Sequence, residues 1–328
     1  MFQRYVVLGA GAIGGAIGGR LALAGLDVTF VARGAHLDAL ARSGLTLVSP
    51  EGGVERVRVT VASSLGEATL EQGDVVILAT KSQHTESAVG ELDAVGERGV
   101  AVICAQNGVA NEAVVARRGF ATYGQCVRLA ASHLEPGVVE FRSSRGVLDL
   151  GCYPSGCDER ARQVATDLRM GGFESLARDD IMRWKYAKLL GNLGGALDAI
   201  AGRDARGSQL FDRLRAEGVD ALRAAGIDYA SVEEETERYG RLPTAAERSR
   251  RPGVGSSWQS LARRTGTIEA DWLNGEIVLL GQTYGVATPV NRACRELAND
   301  LARGKAEPGS MPLTVVEQRV LELEAGRA

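Results

Sequence analysis

The chain of 328 residues is poor in lysine, histidine, cysteine and aromatic side chains. Aromatics make up 5% of it, while 45% is hydrophobic and 24% charged, the balance of an ordinary globular protein rather than a disordered one. Its 42 glycines show no three-residue period, which excludes a collagen-like chain. Five cysteines in this length make no disulfide framework. Cys104, Cys126 and Cys294 sit among apolar neighbours. Cys152 and Cys157, in CYPSGC, have no second pair and no nearby histidine to complete a zinc site, so no metal is expected. No apolar run approaches the ~20 residues that a membrane span needs. The opening MFQRYVVLG leads straight into a strand-like run, so the expectation is a cytoplasmic protein without signal peptide or membrane anchor. A formal net charge of −3 gives no reason to expect nucleic acid as a partner. None of the histidines, His36, His84 and His133, belongs to a nucleophilic triad, and no serine sits in a GxSxG elbow, which removes most support for a hydrolase. His84 reads as a loop residue and His36 as a residue on a helix surface.

Only Lys81, Lys185, Lys188 and Lys305 are lysines; every other basic residue is arginine. A lysine can be tuned to give up its proton, whereas arginine is effectively always charged.

Strand-like and helix-like segments alternate through the first half. Apolar runs at 5–8, 27–31, 74–79 and 99–105 read as strands, and 12–24 and 86–95 as helices between them. Residues 44–48 and 55–61 read as a strand pair, and 121–129, 137–141 and 146–151 as further strands before a helix at 158–170. This alternation predicts a parallel, doubly wound α/β sheet. Beyond about residue 177 the strands give way to amphipathic helices at 179–201, 208–225, 267–284, 291–302 and 312–324. Two domains are expected, 1–177 and 178–328. The polar stretch 244–257 reads as irregular, and Gly255-Ser256-Ser257-Trp258 as a loop presenting hydroxyls.

Gly9-Ala10-Gly11-Ala12-Ile13-Gly14 follows the first strand and opens a helix, the context in which GxGxxG signals a dinucleotide. Gly9 permits the tight turn, Gly11 the approach of a pyrophosphate and Gly14 close packing of helix on strand. The amides of Ala12 and Ile13 stand at the helix N-terminus, where anions are favoured. The second strand ends in Arg33 rather than in the acid that holds an NAD ribose, so the cofactor reads as NADP(H). Ligands of such sheets bind beyond the carboxyl ends of the strands, where Lys81-Ser82-Gln83-His84 and Gln106-Asn107-Gly108 lie. Lys81 suits a cofactor or a substrate carboxylate, and Asn107 the nicotinamide side or substrate. Lys188 and Asn192 are one helical turn apart and share a face. For Lys185 the solvent side of the helix is the favoured reading; for Lys188 spacing alone leaves the choice open. Glu269 reads as an acid early in a long helix.

In order and spacing, GAGAIG, Arg33, TKSQ, AQNGVANE, WKYAKLLGN, SSWQSL and TIEADWLNGEIV resemble the ketopantoate reductase (2-dehydropantoate 2-reductase) family along nearly the whole chain. The resemblance implies a Rossmann-type domain followed by a helical domain like the C-terminal domain of 6-phosphogluconate dehydrogenase, with the active site in the cleft between them. It implies NADPH-dependent reduction of a 2-keto acid, ketopantoate to pantoate, in pantothenate biosynthesis. Lys188 matches the family's catalytic lysine, Asn192 the asparagine one turn on, Ser257 a substrate ligand and Glu269 the acid of the family's TEID stretch, an acid placed to orient the lysine if the two hydrogen-bond. Asn107 and Lys81 match the asparagine and lysine of the two strand ends. One departure concerns substrate: a further family asparagine has no counterpart in Leu193-Gly194-Gly195-Ala196. A relative acting on another ketone, including a 3-hydroxy acid or opine-type dehydrogenase, and a non-catalytic NADP(H) sensor are the alternatives. Exposed helices of the second domain offer surface for a homodimer.

Overall fold

The computed structural model describes residues 4–205, 207–240 and 255–326. Contacts divide the chain into two compact units, Met1–Lys185 and Tyr186–Ala328.

The first unit is built on a sheet of seven strands: β1 (Tyr5–Leu8), β2 (Val28–Val31), β5 (Thr60–Ala62), β6 (Val75–Leu78), β7 (Ala101–Cys104), β8 (Ala121–Arg128) and β11 (Val147–Cys152). Their spatial order is β11-β8-β7-β6-β1-β2-β5, all parallel except β11, which runs antiparallel to β8. Every residue of β1, β2, β6 and β7 is buried, as continuous apolar runs covered on both faces must be. Side chains alternate between two cores. Val7, Phe30, Ile77 and Ile103 enter one, and Val6, Leu8, Val76 and Val102 the other. Helices α1 (Ala12–Leu23), α2 (Gly34–Ser43), α3 (Leu65–Ala68), α4 (Thr85–Val95), α5 (Asn111–Arg117) and α6 (Glu159–Met170) connect or flank the strands.

A second sheet, β4-β3-β10-β9, is formed by β3 (Leu45–Val48), β4 (Val54–Val57), β9 (Ala131–Ser132) and β10 (Val138–Phe141). The expected pair at 44–48 and 55–61 is only half right. β3 does pair with β4, but Arg58 and Val59 carry the chain away and β5 joins the main sheet beside β2. Helix α1 lies between the two sheets, and its glycines explain how. A Cβ at Gly18 would stand 2.6 Å from Phe30 of the main sheet; one at Gly15 would stand 2.8 Å from Val139 of the second.

The second unit has no strand among its described residues. α7 (Ile181–Asn192) begins in the first unit and enters the second. It is followed by α8 (Gly194–Ala201), α9 (Gln209–Ala224), α10 (Val232–Tyr239), α11 (Ser256–Ala262), α12 (Asn274–Tyr284), α13 (Pro289–Arg303) and α14 (Leu313–Ala325). α13 packs against α8, α9, α12 and α14. The sequence suggested a division after residue 177. Contacts put it after Lys185, because the first turns of α7 bury Ile181, Trp184 and Lys185 within the first unit. The long helix expected at 179–201 is interrupted at Leu193. That at 267–284 begins only at Asn274, because Leu273 (φ −111°, ψ −82°) leaves the helical region; a 3-10 turn, Glu269–Trp272, precedes it. The loop expected at 255–258 is helical from Ser256 on: Ser256, Ser257 and Trp258 open α11, and Gly255 is its N-cap. The rest of the stretch expected to be irregular, 244–254, lies outside the described residues. α10 is announced only by a capping box, Ser231-Val-Glu-Glu234, and both of its hydrogen bonds are present. Among the described residues no helix is long and apolar enough to cross a membrane.

Candidate active site

The glycine turn occupies the carboxyl end of β1. Gly9 has φ +101°, and a Cβ there would lie 2.8 Å from the Thr80 amide nitrogen, so only glycine fits. Gly11 is the N-cap of α1, and a Cβ on it would meet nothing within 4 Å among the described residues. A Cβ at Gly14 would strike Val7 at 2.9 Å. No side chain caps α1 and no acid stands in its first turn, so its amide end keeps the partial positive charge that favours an anion. These features fit a pyrophosphate lying over Gly11.

His36 is no surface residue. It is half-buried, and Gly137 N–H donates to its Nδ1 at 2.9 Å. Nε2 therefore carries the hydrogen and donates to the carbonyl of Ala10, inside the glycine turn, at 2.8 Å. The His133 ring lies 4.3 Å away. Burial first, then the neighbouring His133, holds the His36 pKa below its usual value of 6.5. Above about pH 6.5 the ring is neutral in folded and unfolded chains alike. As the pH falls below that, the unfolded chain takes up a proton that the folded one resists, and stability declines until the folded-state pKa is passed. Thermal melting between pH 7.5 and 5.5 is expected to show this decline, and His36→Gln to flatten it.

Arg33 is the N-cap of α2; its side chain is 75% exposed and pairs with Glu91 of α4 at 3.0 Å. The other Glu91 oxygen accepts from Leu65 N–H at 2.9 Å. At the end of β6, half-buried Lys81 precedes a 3-10 turn, Ser82–His84, so exposed His84 stands in a turn. Beyond β7, Gln106 is buried and Asn107 half-buried. The two strand ends are laced together: Gln106 Nε2 donates to the Thr80 carbonyl (3.0 Å) and to Thr85 Oγ1 (2.8 Å). Thr85 Oγ1 donates in turn to Asn111 Oδ1 (2.8 Å).

The expectation for Lys185 fails. Its side chain is 2% exposed and forms an ion pair with Glu112, whose side chain is wholly buried. Solvent is not available to α7 at that point, because it packs against Gly124 of β8, where a Cβ would lie 3.3 Å from the lysine stem.

In the second unit, Lys188 and Asn192 are half-buried on α7. Leu193 keeps right-handed helical angles (φ −55°, ψ −40°), so the chain holds its direction into α8. Lys188, Asn192 and Gly195, spaced by four and three residues, therefore lie on one face. Ser257, 6% exposed, stands at the Gly195 end: a Cβ at Gly195 would lie 3.3 Å from Ser257 Oγ. Glu269 is 4% exposed in its 3-10 turn, which packs on α13. Asn274, which the sequence reading left without a role, is completely buried. Its Nδ2 donates to the Leu193 carbonyl (3.1 Å) and to Asn291 Oδ1 (3.0 Å), satisfying an acceptor freed where α7 ends.

Family models match both parts of the chain: ketopantoate reductase PanE/ApbA over residues 5–155, and its C-terminal part over residues 180–302. The chain belongs to the ketopantoate reductase family. The 2-dehydropantoate 2-reductase of Pyrococcus horikoshii is 30% identical over 298 residues, 88% of this chain and 94% of that protein. That of Archaeoglobus fulgidus is 29% identical, over 92% of this chain and 99% of its own. The crystal structure of a PanE/ApbA family ketopantoate reductase from Ralstonia eutropha is similar with a TM-score of 0.75 at 26% identity, covering 92% of this chain and 99% of that one. A D-mandelate dehydrogenase, in its ternary structure with NADH and anilino(oxo)acetate, shares the fold at a TM-score of 0.77 and 21% identity, covering 92% of this chain and 99% of its own. The protein is thus an oxidoreductase of 2-dehydropantoate 2-reductase-like function that works with a pyridine nucleotide.

Proposed function

We propose that the protein reduces a 2-keto acid with NADPH, converting 2-dehydropantoate to pantoate. The observation that carries this reading is the shared face of Lys188, Asn192 and Gly195 with buried Ser257 at its end. The cofactor is assigned to Gly9, Gly11, Ala12, Ile13, Gly14, Arg33, Lys81 and Asn107 of the first unit. NADPH, when bound, supplies the hydride. Lys188 is the general acid that gives its proton to the carbonyl oxygen as negative charge gathers there. Asn192 donates an amide hydrogen to the same oxygen, and Ser257 donates its hydroxyl to the substrate carboxylate. Glu269 accepts a hydrogen bond from the Lys188 ammonium and keeps it aimed. The five free cysteines and the use of NADPH fit a cytoplasmic enzyme.

The test is NADPH oxidation by purified protein with a panel of 2-keto acids, ketopantoate first, and with NADH as control. Turnover of ketopantoate is the expected result; binding of NADPH with no turnover of any keto acid would leave a nucleotide-binding protein and end the reading. Two variants sharpen it. Arg33→Ser is expected to raise the KM for NADPH about tenfold, the effect of one exposed charge-assisted contact, and to leave the KM for NADH unchanged. Gly195→Asn, which fills the space beside Ser257, is expected to shift the kcat/KM ratio toward ketopantoate and away from a phenyl-substituted 2-keto acid by about tenfold, or about 1.4 kcal/mol.

A further inference from the structure

The first unit contains a buried ion pair that the reaction just described does not use. Lys185 Nζ donates to Glu112 Oε1, to the carbonyl of Gln106 at 3.1 Å and to the carbonyl of Cys104 at 3.4 Å, so its three hydrogens are all engaged. A lysine so committed has no hydrogen left for a ligand. Nor is the pair well explained as a device for stability. Removing two charges from water costs several kcal/mol each, and an apolar pair of similar volume commonly serves as well. Here the second Glu112 oxygen is buried with no hydrogen-bond partner among the described residues, which adds to the cost.

An ammonium does something in this place that an apolar side chain cannot. It holds two successive outward carbonyls, Cys104 and Gln106, at the point where β7 ends and the chain turns toward Asn107. The Asn107 peptide is held from the other side as well: its carbonyl accepts from Asn111 Nδ2 at 2.9 Å and from Ser82 Oγ at 3.3 Å. The main chain on both sides of Asn107 is fixed by buried polar groups, while Asn107 itself stays half-exposed. We infer that Lys185 and Glu112 are positioning residues: their ion pair sets the main chain that presents Asn107 to the nicotinamide cofactor. The inference rests on the proposed cofactor role of Asn107.

Its test compares the full-length protein with Lys185→Met/Glu112→Leu, with Asn107→Ala and with the three changes combined. Melting temperature, the NADPH dissociation constant by fluorescence titration, and kcat and KM are read for each. The apolar pair is expected to fold but to melt somewhat below the parent, because the carbonyls of Cys104 and Gln106 lose their donor, and to raise the NADPH dissociation constant about tenfold, as Asn107→Ala does. The combined variant is expected to bind no more weakly than Asn107→Ala alone, because the pair acts through that residue. An apolar pair that binds NADPH like the parent would overturn the inference, and so would losses that multiply in the combined variant. Should the apolar pair not fold, Glu112→Gln replaces it, with a smaller loss expected that again vanishes in the Asn107→Ala background. A loss that persists there overturns the inference. A parent that binds no NADPH sinks the cofactor reading and this inference together. A parent that binds NADPH but reduces no keto acid sinks only the substrate reading, since the binding cycle still decides the role of the pair.

Discussion

Lys188→Ala is expected to lower kcat at least a hundredfold while leaving the fold and NADPH binding intact. Loss of one donor to a developing oxyanion typically costs about 3 kcal/mol, which is more than two powers of ten in rate. Lys188 is only half-buried, and its loss takes the proposed partner from buried Glu269, so a small fall in melting temperature is expected, well short of that for the wholly buried pair of Lys185. The glycine turn and Arg33 belong to the first unit and are untouched, so NADPH affinity is expected to stay at the parent value. Lys185, only three residues earlier, gives the opposite signature. Lys185→Met alone leaves Glu112 buried without its counter-ion, and breaking such a pair costs about 3–5 kcal/mol of stability. Two lysines on one helix are thus separable by what their loss damages: the rate for Lys188, the fold for Lys185. Near-normal turnover by Lys188→Ala would remove the lysine from the mechanism. Partial recovery of its rate by added primary amine would strengthen the assignment.

That difference was not legible in the sequence, and the reason is physical. Lys185 meets Glu112 across 73 positions of chain. Around α7 the buried residues Ile181, Trp184, Ala187, Leu189 and Leu190 leave no clear polar stripe from which to judge which lysine faces solvent. The same limit hid His36, whose partners lie 26 and 101 positions away. What could be read was local. The strand, glycine turn and helix at 5–23 follow from side-chain size and backbone freedom within one short segment, and the buried strands β6 and β7 from unbroken apolar runs. Alternation at 44–61 showed strands but not which sheet each would join, because both sheets ask for the same pattern. The break before α12 carries neither glycine nor proline at Leu273, so periodicity ran through it and placed Glu269 on a long helix rather than in a short turn. Ser257 lies in a helix where the sequence suggests a loop, since a helix of seven residues gives little periodicity to read.

Two neighbouring glycines are expected to separate what the turn needs for folding from what it needs for its ligand. Gly11→Ala places a methyl group where no described residue comes within 4 Å, at φ −71°, which alanine adopts freely. Its melting temperature is therefore expected to fall only slightly, alanine being a poorer N-cap than glycine. The methyl group does stand where a pyrophosphate would approach the amide end of α1, so the NADPH dissociation constant is expected to rise about a hundredfold, or about 2.7 kcal/mol. Gly9→Ala acts in the reverse order. At φ +101° any side chain strains the backbone by about 1–3 kcal/mol, and its Cβ would press on the Thr80 amide at 2.8 Å, where the obstacle is main chain and cannot rotate away. A fall of at least about 4 °C in melting temperature is expected from some 2 kcal/mol in a unit of this size, with NADPH binding lost as a consequence. Thermal melting and NADPH titration of the two variants decide the matter together. If Gly11→Ala bound NADPH like the parent, the pyrophosphate would not lie over Gly11, and the role assigned to the open amide end of α1 would fall with it.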